Sequence, residues 1–177
     1  MSRCTPQFFA LLLLLTPISL AQSQPETSDA REVSQEEVTL MNTVLREDLF
    51  IITTSRLALE RSQNAELKEV AQTLVTAHTQ MSGALMALSS DVGLTLTGNQ
   101  PSELPEERLQ EVDELSALEG DAFDARYLEL QKEVHQSAVE ALEELPALVT
   151  NPGLQYFVNT ATPVMTQHLE MAGHLEH

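Results

Sequence analysis

The stretch from Leu67 to Leu88, LKEVAQTLVTAHTQMSGALMAL, decides the fold. Its apolar residues Leu67, Ala71, Leu74, Met81, Leu85 and Leu88 recur in alternating steps of four and three, the signature of one helical face. His78 falls in step with them, so the spacing predicts an imidazole pointing into a helical core.

Outward from that stretch the helical pattern repeats. Ser34-Gln35-Glu36-Glu37 reads as a capping box, with Ser34 as cap and Glu37 reaching back, opening a first helix over residues 35–61. Ser62-Gln63-Asn64 is a tight break, and Asn64 caps a second helix that continues to about Ser90. Gly93 ends it as a left-handed residue would. Residues 94–104 read as a loop, marked by Gly98-Asn99 and Pro101, and residues 105–118 as a short acidic helix lying across the bundle. Gly120 breaks that helix. A third long helix is expected over residues 121–145, ended by Pro146, and Asn151-Pro152 starts a fourth that reaches about Leu175, with a kink at Pro163. No segment has the two-residue period of a strand. Four helices of about 24–27 residues, each about 36–40 Å long, predict an all-α, antiparallel four-helix bundle with a short extra helix between the second and third.

The chain has 177 residues, enough for one domain, and its first 21 read as a signal peptide. Arg3 supplies the positive start, residues 8–15 an unbroken apolar run, and Ser19-Leu20-Ala21 the small residues of a cleavage site. The run is shorter than the roughly 20 apolar residues of a membrane span, and no later segment comes close. Residues 22–33 are polar with Pro25 and read as a disordered leader, leaving 34–177 as the bundle domain. The expected destination is export, to the periplasm or the medium. The only cysteine, Cys4, precedes the apolar run and leaves with the signal, so the mature chain has neither disulfide nor thiolate ligand. Leu175-Glu176-His177 resembles the start of a purification tag, and His177 is set aside for that reason.

With 27 Asp+Glu against 9 Lys+Arg, the formal charge is −18. Such a field repels nucleic acid and anionic lipid, which excludes both as expected partners. No Trp and 4% aromatic residues argue against a stacking platform for sugars or bases.

A wheel at 100° per residue gives each long helix one apolar direction. In the first helix Val38, Met41, Val44, Leu45, Ile51, Ile52 and Leu59 set it, with Asp48 at its middle and Ser55 beside it. The third long helix turns Phe123, Tyr127, Leu130, Val134, Ala138 and Ala141 inward, with His135 and Gln131 on the flank. The fourth turns Leu154, Val158, Ala161, Met165, Ala172 and Leu175 inward, and His168 falls among them. His174 and Glu170 point outward. His78, His135 and His168 lie about 20–24 Å into their helices, and Asp48 lies halfway along its own. One polar residue per helix, at one height, facing one core, is the pattern of a metal site. Three imidazoles and a carboxylate suit tetrahedral Zn(II), and imidazole also suits Fe and Cu. Met81 and Met165 lie one turn from His78 and His168, and thioethers there would favour Cu(I). The alternative is a purely structural or protein-interaction module in which the same residues form a buried hydrogen-bond network.

Other chemistries find less footing. A carboxylate-bridged di-iron centre needs Glu-x-x-His pairs, and the sequence contains none. There is no Gly-x-Ser-x-Gly elbow and no glycine-rich phosphate loop. Acid–base catalysis by Asp48 with a histidine would require a cleft that reaches it. The residues point to a binding or structural protein rather than an enzyme.

Several segments resemble a known family. Leu57-Ala58-Leu59-Glu60-Arg61-Ser62, Val75-Thr76-Ala77-His78, Ala122-Phe123-Asp124-Ala125-Arg126-Tyr127-Leu128, His135 and Pro163-Val164-Met165-Thr166-Gln167-His168-Leu169 resemble the bacterial domain-of-unknown-function family numbered 4142. The resemblance spans residues 39–175. It implies a ferritin-like helical bundle, exported to the periplasm or outer membrane, without an established activity. It also implies that His78, His135 and His168 match the family's recurrent histidines. The chain departs from the pattern at Ala77 and Val134, where the family often has Asp, and at Ile51, where it tends to have Glu. If those acids serve a metal elsewhere in the family, Asp48 would have to take their place here.

Overall fold

In a computed structural model, residues 32–175 are described. The expected signal peptide and nearly all of the expected leader lie outside the described residues, as does His177. Among the described residues all regular structure is helical: α1 Gln35–Arg61, α2 Ala65–Asp91, α3 Glu106–Ser116, α4 Gly120–Glu144 and α5 Pro152–His174, with single 3-10 turns at Pro101–Glu103 and Leu145–Ala147. The four long helices are thus α1, α2, α4 and α5.

The caps follow from local chemistry. The Ser34 hydroxyl accepts the Glu37 N–H at 3.1 Å while the Glu37 carboxylate accepts the Ser34 N–H at 2.8 Å. Asn64 Oδ1 accepts the N–H groups of Glu66 and Leu67, and Asn151 Oδ1 those of Gly153 and Leu154. At the end of α2, Gly93 sits at φ +72°. The Leu94 N–H returns to Ser89 O and the Gly93 N–H to Ser90 O, a Schellman ending that a residue with a Cβ would strain. α5 runs unbroken through Pro163, whose ring is exposed.

α1 and α2 form a hairpin across the three residues 62–64, and α4 and α5 pack along each other across the turn at 145–151. α2 also touches α5 and α1 touches α4, closing a bundle, while α3 lies against α1 and α4. The link from α2 to α3 is pinned to α1. Asn42 Oδ1 accepts the N–H groups of Thr97 (2.8 Å) and Gly98 (3.3 Å), and the chain passes so close that a Cβ on Gly98 would collide with the Asn42 backbone carbonyl oxygen. Glu37 ties the other end. Its Oε1 accepts the backbone N–H groups of Thr150 (2.6 Å) and Asn151 (2.7 Å), joining the start of α1 to the start of α5.

The buried apolar residues fall into two clusters. One holds Phe50, Ala58, Leu67, Leu74, Leu115, Phe123, Tyr127 and Leu130; the other holds Met41, Leu45, Leu85, Leu142, Leu154, Val158 and Met165. Several inward assignments change. Ala141 is exposed, and Val38, Val44, Leu59, Ala138 and Leu175 are only half-buried. Phe50, fully buried, lies off the wheel's apolar direction because α3 covers a second side of α1, where the Arg108 guanidinium lies 4.5 Å from the Phe50 ring centre. A wheel drawn for one helix cannot register a helix docked on its outer side.

Candidate metal centre

Between the two apolar clusters, each long helix contributes a buried polar side chain. Asp48 follows Leu45 and precedes Phe50 on α1; His78 lies between Leu74 and Leu85 on α2; Val134-His135 precedes Leu142 on α4; His168 follows Met165 on α5. The layer interrupts the core, and its four members are no more than 3% exposed. Burying that much polarity is costly unless the groups satisfy one another.

The three imidazoles form a near-equilateral triangle, with ring centres 5.4 Å apart for His78–His135 and 5.2 Å for each remaining pair. One ring nitrogen from each lies within 4.8 Å of the other two. Two of the rings have assigned orientations. His78 Nδ1 faces Asp48 Oδ1 at 2.8 Å, and His135 Nδ1 faces the Gln131 carbonyl oxygen at 2.7 Å. A carbonyl oxygen only accepts, so His135 Nδ1 must carry hydrogen; an ionised Asp48 imposes the same on His78. A neutral His135 then presents a lone pair at Nε2, and His78 Nε2 lies 3.2 Å from it. His168 Nδ1 is buried with no hydrogen-bond partner.

Electrostatics keep two of the rings neutral. Burial, then repulsion from neighbouring His78, pushes His135 down to about 3, despite the opposing pull of the Gln131 carbonyl. Burial and His78 likewise push His168 down to about 4. Both are unprotonated at neutral pH, the state in which imidazole ligates metal.

Asp48, expected among the ligands, stands one step back. Its Oδ1 is engaged by His78 and its Oδ2 accepts the Ser82 hydroxyl at 2.8 Å, so it reaches the centre through His78. Ser82 and the Gln131 carbonyl are partners that the residue pattern did not single out. Ser82 had a readable signal, lying four residues after His78 on the same side of α2. The carbonyl had none, because a backbone acceptor leaves no mark in composition. Beyond it Gln131 Nε2 donates to Thr54 Oγ1 (2.9 Å) and Tyr127 shares a 3.0 Å hydrogen bond with Ser55, extending the polar contacts between α1 and α4. Met81 and Met165 line the cavity that adjoins His78. That cavity also reaches Asp48, the access an acid–base role would require.

Fold and site together define an all-helical bundle with a buried, largely neutral three-histidine cluster. The chain belongs to the family described as Domain of unknown function (DUF4142), which matches residues 22–175. A crystal structure of a DUF305 fragment from Deinococcus radiodurans has a similar fold, with a TM-score of 0.70 over 81% of this chain and 96% of that one, at 18% identity. No curated protein matches the sequence.

Proposed function

We propose that this is an exported bacterial protein that holds a transition-metal ion with His78, His135 and His168, while Asp48 fixes the orientation of His78. The observation that carries the reading is the 3.2 Å approach of His78 Nε2 and His135 Nε2, in rings whose Nδ1 atoms are already engaged by Asp48 and by the Gln131 carbonyl. Where His78 is neutral and donates through Nδ1, both Nε2 atoms are acceptors and repel unless a cation lies between them. Zn–N bonds of 2.0–2.1 Å at a tetrahedral angle place two nitrogens about 3.3–3.4 Å apart, close to the spacing here. His168 offers a third donor, with one ring nitrogen within 4.8 Å of one on each of the other two. The carboxylate behind His78 and the carbonyl behind His135 are the outer partners that metal-bound imidazoles commonly have. Three neutral nitrogens suit Zn(II) best; Cu and Fe are the other metals such a set accepts.

The architecture proposed for the site is a ferritin-like four-helix bundle in which all touching long helices run antiparallel. Contacts support this: Asp48 meets His78 and Ser82, Thr54 meets Gln131 while Ser55 meets Tyr127, and His78 meets His168 while Leu88 approaches Gly153. In the α1–α4 and α2–α5 pairs the numbers rise on one helix as they fall on the other, and the three-residue turn reverses α2 against α1, so the α2–α4 connection crosses the length of the bundle. The apolar run 8–15 and Ser19-Leu20-Ala21 support export, with Gln22 as the first mature residue.

A second reading has its own support. A single proton held between the two Nε2 atoms would also relieve their repulsion, leaving Asp48, His78 and His135 as a structural network. Elemental analysis of untagged protein, as purified and after loading with Zn(II), Cu and Fe salts, separates the two. About one equivalent of one metal, lost in both His78→Ala and His168→Ala, is expected. Less than roughly a tenth of an equivalent of every metal overturns the metal reading.

A further inference from the structure

Beside the histidine layer, toward the α1–α4 side of the bundle, lies a cavity of about 260 Å³. Its inner end meets Asp48 and His78, and its walls are Leu40, Val44, Met81, Leu142, Phe157 and Met165. Its remaining polar side chains stand at the rim: Thr43, Ser137 and the Glu47–Arg108 ion pair.

The lining limits what can fill this space. A buried water needs two to four polar partners, and the stretch between rim and inner end supplies none. An ion fares worse, because apolar walls offer nothing in exchange for its hydration. The rim cation is already committed: Arg108 bonds Glu47 and Glu111, each at 2.8 Å, so it is not a free anchor for an anion. An apolar cavity of about 150 Å³ takes up benzene. This one is larger, yet below the roughly 300 Å³ at which pockets for drug-sized ligands begin.

We propose that the cavity is a binding site for a small, neutral, mainly apolar molecule, larger than benzene, whose one hydrogen-bonding head lies against Asp48 at the inner end. Apolar burial along the walls supplies the affinity. The carboxylate fixes the orientation, since each Asp48 oxygen keeps acceptor capacity beyond its bond to His78 or Ser82. The site lies next to the proposed metal centre but does not depend on it.

The test uses full-length, metal-free protein, so that its outcome is separate from that of metal loading. Indole, a neutral bicycle with one N–H donor, is titrated by calorimetry and by thermal unfolding; benzoate serves as the anionic control. Ala161 is a buried lining residue on α5, and Ala138 a half-buried one on α4. We expect saturable indole binding that raises the unfolding temperature, no effect of benzoate, and loss of indole binding in Ala161→Leu, whose added carbons fill the space. Ala138→Leu supplies the same comparison if Ala161→Leu does not fold. The proposal is overturned if folded wild type fails to bind indole up to its solubility limit, if benzoate binds as well, or if the filled variant binds indole unchanged.

Discussion

Acid should weaken this protein well before its carboxylates titrate, and two histidines set the size of the effect. His135 and His168 are pushed from an ordinary 6.5 down to about 3 and about 4, burial being the larger cause for each. The folded chain therefore binds fewer protons than the unfolded chain throughout the interval between those values and 6.5. Stability is fully present above the unfolded value and falls as pH drops through it. At about pH 5.5 the unfolded state gains about 1.4 kcal/mol per histidine by protonating them, against about 0.2 at pH 7. Two such groups then remove about 2.5 kcal/mol, or about 5–10 °C of unfolding temperature for a chain of this size. This magnitude requires only that both folded values lie well below 5.5. The assay is denaturant unfolding of metal-free protein at the two pH values, beside the double variant His135→Leu/His168→Leu. Exposed groups are common to both proteins and cancel in the comparison. We expect the wild type to lose more stability between the two pH values than the variant does. A flat wild-type profile, or an equal slope in the variant, would mean that His135 and His168 are not held neutral by the fold.

Three further outcomes follow from named contacts. Asp48→Ala removes the acceptor from His78 Nδ1 and should weaken Zn(II) binding about 10–100-fold, measured by competition with a chromophoric chelator, while costing the metal-free fold about 1–3 kcal/mol. Unchanged affinity would remove Asp48 from the site. For Glu37, burial works against ionisation, yet hydrogen bonds from Asn151, Ser34 and Thr150 outweigh it and hold the carboxylate below its ordinary 4.5. Its contribution is present above that value and lost as pH falls through the lowered one. Glu37→Gln turns an amide donor toward one of those N–H groups and should cost about 2 kcal/mol at pH 7, read by denaturant unfolding. Gly98→Ala sets a Cβ onto the Asn42 carbonyl oxygen, with Leu45 Cβ 3.1 Å away, and should destabilise by about 1–3 kcal/mol rather than stabilise as Gly→Ala does at open sites. A higher unfolding temperature in that variant would contradict the packing described.

Much of this protein was determined by sequence alone. The capping box at Ser34 and Glu37, the cap at Asn64 and the Gly93 ending are local devices, and local devices survive being read one segment at a time. The periodicity that carried His78 inward carried His135 and His168 inward too, because a 3.6-residue repeat specifies direction as well as secondary structure. What it could not specify is a relation between helices. Which ring nitrogen meets which partner depends on rotation and height across two or three helices at once, so tertiary structure alone put Asp48 behind His78. It also brought the Gln131 carbonyl to His135 and left His168 Nδ1 unpaired. The same holds for Phe50, buried by a helix docked far along the chain, and for the cavity, a space between four helices that no single helix encodes.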